Sequence, residues 1–320
     1  TLAALLFYWR TGAVIGGADF SGLGSANGQT PVGSTGSEHG TLVASLAAGR
    51  GRGVGNADGV IGAAPAANLL AISIGFGEGD IDSDEQIAQA VRWAVDNGAD
   101  VINMSLTRNT REWPQSWDDA FLYAAENDVV VVAAAGNRGS GTTVVGAPAT
   151  MPGVLTVAGV DRQGQASFDA SSQGITIGIS APSEELVGVA PGGTVVRWGG
   201  TSGATPIVAG IVALVRAAHP ELDAANVINR IIATAKPAGD DGPDAIYGFG
   251  IVDAAAAVTA TVPLVDANPM GDLAEWVRLY RRAEVAPSTP PTPWVPPAVA
   301  PDSPVAAPVD ETDPQVQALQ

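Results

Sequence analysis

The sequence predicts an α/β domain built on a mostly parallel central sheet with helices on both faces. Short apolar runs alternate with amphipathic or small-residue helical segments over residues 1–286. The strand candidates are apolar throughout, the pattern of strands covered on both faces rather than of strands with one wet face. No internal repeat of about 20–50 residues organises the chain, which sets solenoids and propellers aside.

The elements follow in order. Leu42 to Ala48 is small and apolar and reads as a buried helix, with His39 at its N-terminal end. Ala67–Ile74 reads as a strand. Ser83 and Gln86 have the spacing of a capping box, opening a helix whose apolar face is Ile87, Val91, Ala94 and Val95. Asn97-Gly98 supplies its left-handed end. Val101–Met104 is the next strand, and Ser116 with Asp119 forms a second capping box for a helix ending near Glu126. Val129–Ala135 and Leu155–Val160 are strands. Ser202–Ala218 is a long apolar helix, with Pro206 assigned to its first turn, where a missing N–H costs little. Asp223 caps a further helix to about Thr234. Residues 1–286 read as one domain. From Pro287 to Gln320 there are ten prolines among Ser, Thr, Ala, Val and acids, a composition expected to give an extended, disordered tail.

Charge and composition exclude several functions. The chain has 33 acidic and 15 basic residues, a formal charge of −18, which opposes binding to nucleic acid or an anionic membrane. It has no cysteine, which removes disulfides, thiolate metal sites and cysteine nucleophiles. Leu2 to Trp9 is apolar but too short to span a bilayer and has no basic flank. No uncharged apolar run elsewhere reaches the ~18–20 residues a membrane span needs. Two histidines, His39 and His219, bound any imidazole chemistry.

The candidates for chemistry stand at the ends of separate elements. His39 reads either as a general base or as a structural histidine. His219 precedes Pro220 at a helix end, where the helix dipole favours a histidine without any catalytic role. Ser202, in Gly199-Gly200-Thr201-Ser202-Gly203-Ala204-Thr205-Pro206, stands on a tight turn at a helix N-terminus. There it is a nucleophile beside anion-stabilising N–H groups, or an ordinary N-cap. Asn137, just past Val129–Ala135, is an oxyanion donor or a turn residue. The order His39, Asn137, Ser202 differs from that of an α/β-hydrolase, whose serine lies in G-x-S-x-G with its histidine downstream.

Taken together, these residues resemble the motifs of the subtilisin-like serine peptidases, the subtilases. His39-Gly40-Thr41 is similar to the histidine motif, Asn103-Met104-Ser105-Leu106 to the substrate-binding strand, and Ala133-Ala134-Ala135-Gly136-Asn137 to the oxyanion motif. Gly200-Thr201-Ser202-x-Ala204-Thr205-Pro206 resembles the serine motif, and Tyr247-Gly248-x-Gly250-x-Val252-Asp253-Ala254-Ala255 the closing motif. The histidine segment and the Pro-rich tail also resemble actinobacterial mycosins. The resemblance implies a subtilisin-like three-layer α/β sandwich and a serine endopeptidase acting on protein or peptide substrates, secreted or associated with the cell envelope, and monomeric. Ser202 would be the nucleophile, His39 the general base and Asn137 the oxyanion donor. Substrate would lie against Ser105, Leu106 and Thr107 on one side and Ser73, Ile74 and Gly75 on the other, with a side-chain pocket beside Ala135 and Gly136. No metal is assigned. The loop Gly55-Asn56-Ala57-Asp58-Gly59 lies where relatives often hold calcium, but it is short for a cation that wants six to eight oxygens.

Three departures stand out. Thr107 replaces a common glycine, and Gly203 and Ile207 replace a common Met and His. The third is the triad aspartate, expected in Asp-[Ser/Thr]-Gly upstream of His39. No acidic residue precedes Asp19, which has the wrong context for that role, and Glu38 adjoins His39 too closely to fold back on its ring. The chain starts at Thr1 rather than Met. The expectation is therefore that the first strand and the aspartate loop lie upstream of this sequence. The alternative is a catalytically impaired pseudoprotease that still binds extended peptides.

Overall fold

The structure is a computed structural model that describes residues 2–4, 13–33, 38–52, 58–76 and 80–281. The compact unit runs Thr1–Glu284. The Pro-rich segment 287–320 and most of the calcium-loop candidate, residues 53–57, lie outside the described residues.

The strands are β1 (Leu2–Ala4), β2 (Val14–Asp19), β3 (Arg50–Arg52), β4 (Asp58–Ile61), β5 (Leu69–Ser73), β6 (Val101–Met104), β7 (Val130–Ala134), β8 (Leu155–Val160), β9 (Ile177–Pro182), β10 (Leu186–Val189) and β11 (Val195–Trp198). Seven of them form one sheet in the order β2-β5-β1-β6-β7-β8-β9. Every neighbouring pair in it is parallel. β3–β4 and β10–β11 are separate antiparallel pairs.

The helices are α1 (His39–Ala48), α2 (Ser83–Asp96), α3 (Gln115–Glu126), α4 (Thr201–Ala218), α5 (Ala224–Ala233), α6 (Ala254–Thr259) and α7 (Leu273–Tyr280). Strand alternation explains why they cover both faces. Val129, Val131, Ala133 and Ala135 point into a core shared with α2, α3 and Leu273 of α7. Val130 and Val132 point into the opposite core with α1, α4, α5 and Ala257 of α6. A strand buried on both faces has no room for polar alternation, which is why these runs are apolar throughout. α4 is long and apolar enough to cross a membrane, but here it is the core helix of that second layer.

Four expectations change. The first strand was expected to lie upstream of this sequence, yet Leu2–Ala4 is an interior strand of the sheet, third in the order, pairing with β5 on one side and β6 on the other. The residues that follow it, 5–12, lie outside the described ones. Asp82 rather than Ser83 caps α2, its carboxylate accepting the Asp84 N–H at 2.8 Å. Gln86 is then free for another use. No side chain caps α3, which starts after an extended Pro114. Pro206 is the sixth residue of α4, beyond its first turn, with a consequence for the site.

The arginine-rich end of the domain also gains a role. Arg281 donates from Nε to Asp118 at 2.8 Å and from a terminal nitrogen to the Trp113 carbonyl at 2.9 Å. Its guanidinium lies over the rings of Trp113 and Trp276. Asp118 is buried and also accepts the Trp113 indole N–H at 2.7 Å. This cluster fastens the end of α7 to α3.

Candidate active site

In parallel sheets, sites form beyond the carboxyl ends of the strands. Here β6 ends at Met104 and leads into Ser105, β7 leads through Gly136 to Asn137, and the β10–β11 hairpin delivers the chain to the N-terminus of α4. Gly200, the last residue before that helix, has φ +128°, and a side chain on it would meet Asn137 Nδ2 at 2.9 Å. Glycine is required for both reasons.

Asn137 is oriented by Thr201. The buried Thr201 donates to Asn137 Oδ1 from its backbone N–H at 2.7 Å and from its hydroxyl at 2.9 Å. The same hydroxyl accepts the Gly136 N–H at 3.1 Å. The amide oxygen is thereby committed, and Nδ2, lying against Gly200, is the group left to donate.

Ser202 is the second residue of α4. In a regular helix its carbonyl would accept the N–H of residue 206, but that residue is proline and has no N–H. The Ser105 hydroxyl donates to the Ser202 carbonyl instead, at 2.8 Å. Asn103 Nδ2 in turn donates to Ser105 Oγ at 3.0 Å. In the other direction, the Ser202 hydroxyl donates to the Ser105 carbonyl at 3.3 Å. Ser105 thus holds both ends of the candidate nucleophile.

His39 opens α1 and is half-buried. Its ring meets the Trp198 indole edge-to-face, with centroids 6.0 Å apart and planes at 81°. Burial pushes the imidazole below its ordinary pKa, partly offset by the neighbouring Glu38 carboxylate. The neutral, proton-accepting form therefore persists to lower pH than for a free histidine. Among the described residues the ring makes no hydrogen bond, and the Ser202 hydroxyl is turned to Ser105 rather than to His39.

Two other predicted positions differ from expectation. Gly75 was assigned to the substrate edge, but its N–H donates to Gln86 Oε1 at 2.8 Å and its carbonyl accepts from Gln86 Nε2 at 3.3 Å. Both main-chain groups already have Gln86 as a partner, so a strand pairing through the Gly75 N–H would have to displace that side chain. The Ser73 hydroxyl donates to the Gly28 carbonyl at 3.0 Å, and the Ser73 carbonyl accepts the Phe20 N–H at 2.9 Å. Ser73 is likewise committed to the fold. Gln86, read from its spacing as a capping residue, is the buried side chain that closes this edge. On the opposite edge Leu106 and Thr107 are half-exposed beyond β6. Ala135 and Gly136 are buried, with N–H groups donated to Val157 and Thr201, so they can form a wall but not pair with substrate.

Asp19 stands at the end of edge strand β2 and makes no recorded contact with His39. Its Oδ1 accepts the Ser21 N–H and hydroxyl at 3.2 and 2.6 Å, and its Oδ2 accepts the Gly24 N–H at 3.0 Å. It is a turn residue. His219 donates from Nε2 to the Val258 carbonyl at 2.7 Å and serves the packing of α6.

A profile of the Peptidase_S8 subtilase family matches residues 19–250. The chain belongs to the subtilase family. It is 38% identical over 227 residues to subtilisin E of Bacillus subtilis (strain 168), an alignment covering 69% of this chain and 56% of that protein. It is 36% identical over 249 residues to subtilisin DY of Bacillus licheniformis, covering 76% and 84% respectively. The chain thus spans little more than half the length of the first of these curated relatives. Among solved structures it resembles MycP1 from the ESX-1 type VII secretion system, with TM-score 0.71 and 28% identity over 84% of this chain and 83% of that one. It also resembles fervidolysin from Fervidobacterium pennivorans, described as a keratinolytic enzyme, with TM-score 0.68 and 27% identity over 82% and 43%. The sheet, the helical layers and the order of the motifs are those of a subtilisin-like three-layer fold.

Two of the departures of this subtilase, at Gly203 and Thr107, have a local packing context, while nothing in the structure explains Ile207. A side chain at Gly203 would overlap Leu186 Cδ1 of β10 and approach Leu46 and Trp198 at 3.3 Å. Bulk that could stand on the helix stands on the hairpin instead. Thr107 faces Gly146, where a Cβ would come within 2.9 Å of the Thr107 hydroxyl. The nearer obstacle to a side chain at Gly146 is the Arg108 carbonyl oxygen, at 1.7 Å from such a Cβ, so this glycine is required by backbone first and leaves room for the threonine as well.

Proposed function

We propose that this subtilase is a serine endopeptidase, with Ser202 as nucleophile, His39 as general base and Asn137 as oxyanion donor. One arrangement carries the reading. Thr201 commits the Asn137 oxygen and leaves its N–H donor at the helix N-terminus that bears Ser202. Such a pre-oriented donor stabilises charge developing on a carbonyl oxygen without reorganisation during the reaction. The Ser202 hydroxyl would leave the Ser105 carbonyl, give its proton to His39 and attack the peptide carbonyl carbon. The resulting oxyanion would accept from Asn137 Nδ2 and the Ser202 N–H. Collapse would break the C–N bond, with His39 protonating the leaving amine. Water would then hydrolyse the acyl-enzyme with His39 again as base.

The substrate would be an extended protein or peptide segment pairing with the half-exposed edge at Leu106 and Thr107 through main-chain bonds, which tolerate varied sequence. The acidic surface fits a protein or peptide partner rather than nucleic acid. We also place the protein outside the cytoplasm or at the cell envelope, acting as a monomer, a reading supported by the likeness to MycP1 of a type VII secretion system.

One observation favours a second reading, an impaired enzyme that binds peptides without cleaving them. His39 has no carboxylate partner among the described residues, and Ser202 is turned away from it. A fluorophosphonate probe decides between the two. Labelling at Ser202 that is lost in His39→Ala supports the peptidase. A folded protein that binds an extended peptide yet takes up no probe supports the impaired form.

A further inference from the structure

The His39 ring makes no hydrogen bond among the described residues, yet a general base works only when its angle to the nucleophile is fixed. What the ring does touch is Trp198, edge-to-face at 6.0 Å and 81°. The indole is itself tightly held. Trp198 ends β11 and pairs with Leu186 of β10. A Cβ on Gly188 would come within 2.7 Å of the indole Nε1, and one on Gly203 within 3.3 Å of its Cη2. Two glycines on different elements therefore leave the space that the indole occupies. One of them directly follows Ser202.

The hairpin that carries the indole is tied to the histidine helix. The Val189 N–H donates to the Ser45 hydroxyl at 3.0 Å, and that hydroxyl donates to the Leu42 carbonyl at 2.7 Å. The same Gly188 position lies 3.1 Å from Leu42 Cδ2. Trp198 thus touches the helix bearing His39, the helix bearing Ser202 and the hairpin joining them. Its N–H is enclosed and has no partner, so the residue is kept for its shape and ring face rather than for a hydrogen bond. A tyrosine or leucine there would leave part of that space empty.

We propose that Trp198 is a positioning residue for His39, an indole wedge between the serine and histidine helices that fixes the angle of the imidazole. The inference rests on His39 acting as the general base of the proposed peptidase. Edge-to-face aromatic pairs bias a ring angle by about two- to tenfold beyond what burial alone supplies. Glu38 is the charged group acting on the ring. Arg197, adjacent to Trp198 in the chain, is turned to Glu185 at 3.5 Å.

The test compares Trp198→Leu and Trp198→Phe with the parent chain. The readouts are peptide hydrolysis across pH, thermal unfolding, and the NMR titration of His39, one of two histidines in the protein. The leucine variant should lower kcat by about 10–100-fold with KM within about twofold, since a small misplacement of a catalytic group costs up to ~10²-fold. Its acidic limb should move to higher pH as the ring loses cover, and the His39 resonances should move with it. Phenylalanine, which keeps an aromatic face, should recover most of kcat. A folded leucine variant with parental kcat and an unmoved His39 resonance and titration overturns the inference, as does a phenylalanine variant no better than leucine. If the parent chain takes up no fluorophosphonate, the peptidase reading falls. The NMR comparison still decides whether Trp198 orients the ring.

Discussion

The bond from the Ser105 hydroxyl to the Ser202 carbonyl exists because Pro206 cannot supply the helical one. Ser105→Ala should therefore leave the Ser202 carbonyl without a donor and Asn103 Nδ2 without its acceptor at 3.0 Å. Leaving a buried polar group unpaired costs about 1–3 kcal/mol. Ser202 is half-buried while Asn103 is buried, which puts the combined loss near ~2 kcal/mol. The informative partner is Pro206→Ala, which gives residue 206 an N–H for the Ser202 carbonyl. The proline variant has its own effect on packing, so only the coupling is diagnostic. Ser105→Ala should cost about 1 kcal/mol less in the Pro206→Ala background than in the parent. Urea unfolding of the four proteins measures this, with unchanged m-values as the check on two-state behaviour. Identical costs in the two backgrounds would refute the claim that Ser105 replaces the missing helix donor. The same cycle read in kcat reports whether the substitution also holds the nucleophile.

Other consequences are simpler. Asn137→Leu should lower kcat by ~10²–10³ with little change in KM, a magnitude taken from the oxyanion asparagine of subtilisin, this chain's own family. Glu38→Gln removes the group that raises the His39 pKa. The neutral base should then persist to lower pH and the acidic limb of kcat/KM should shift downward; an upward shift would contradict the assignment of His39 as the titrating base. Arg281→Ala should destabilise the domain by around 3 kcal/mol in chemical denaturation, the low end for breaking a buried ion pair, because Asp118 is 4% exposed while Arg281 is 27% exposed. Activity at saturating substrate should be untouched by that change.

The sequence shows the strands best where burial on both faces leaves nothing but apolar residues. β6 and β8 match their predicted spans, and β7 lies within its own. β1 was hidden for a physical reason. Leu2–Ala4 carries little strand propensity, and its place is set by pairing with β5 and β6, which lie far along the chain. The capping boxes failed where a neighbour competed better. Asp82 took the cap of α2, freeing Gln86 to bind Gly75, and Pro114 set the start of α3 by its own fixed φ. At the site, Asn137 and Ser202 stand in their own motifs, and each is held by a residue of a different motif, a pairing that neither motif shows by itself. Thr201 reaches Asn137 across 64 positions and Ser105 reaches Ser202 across 97. No local pattern announces contacts at those separations. The Trp198–His39 contact is of the same kind.

Asp19 is the case where sequence and geometry can be separated most sharply. It is the first carboxylate in the chain and lies twenty residues before His39, so a count of acids alone nominates it as the group that orients the imidazole. The geometry assigns both its oxygens to the turn that follows β2, to Ser21 on one side and Gly24 on the other. Asp19→Asn replaces one accepting oxygen with an NH2 group and should disrupt one of these two contacts. The expected loss is about 1 kcal/mol of stability, the ordinary worth of one hydrogen bond. kcat should stay within about threefold of the parent. Were Asp19 the orienting acid, kcat would instead fall by ~3 × 10⁴, the value for removing that acid in subtilisin. These outcomes differ by four orders of magnitude, so a crude peptide assay on one purified variant suffices. A large fall in kcat with intact stability would mean that the β2 turn opens to bring this carboxylate to His39, and that the orientation assigned to Trp198 belongs to Asp19.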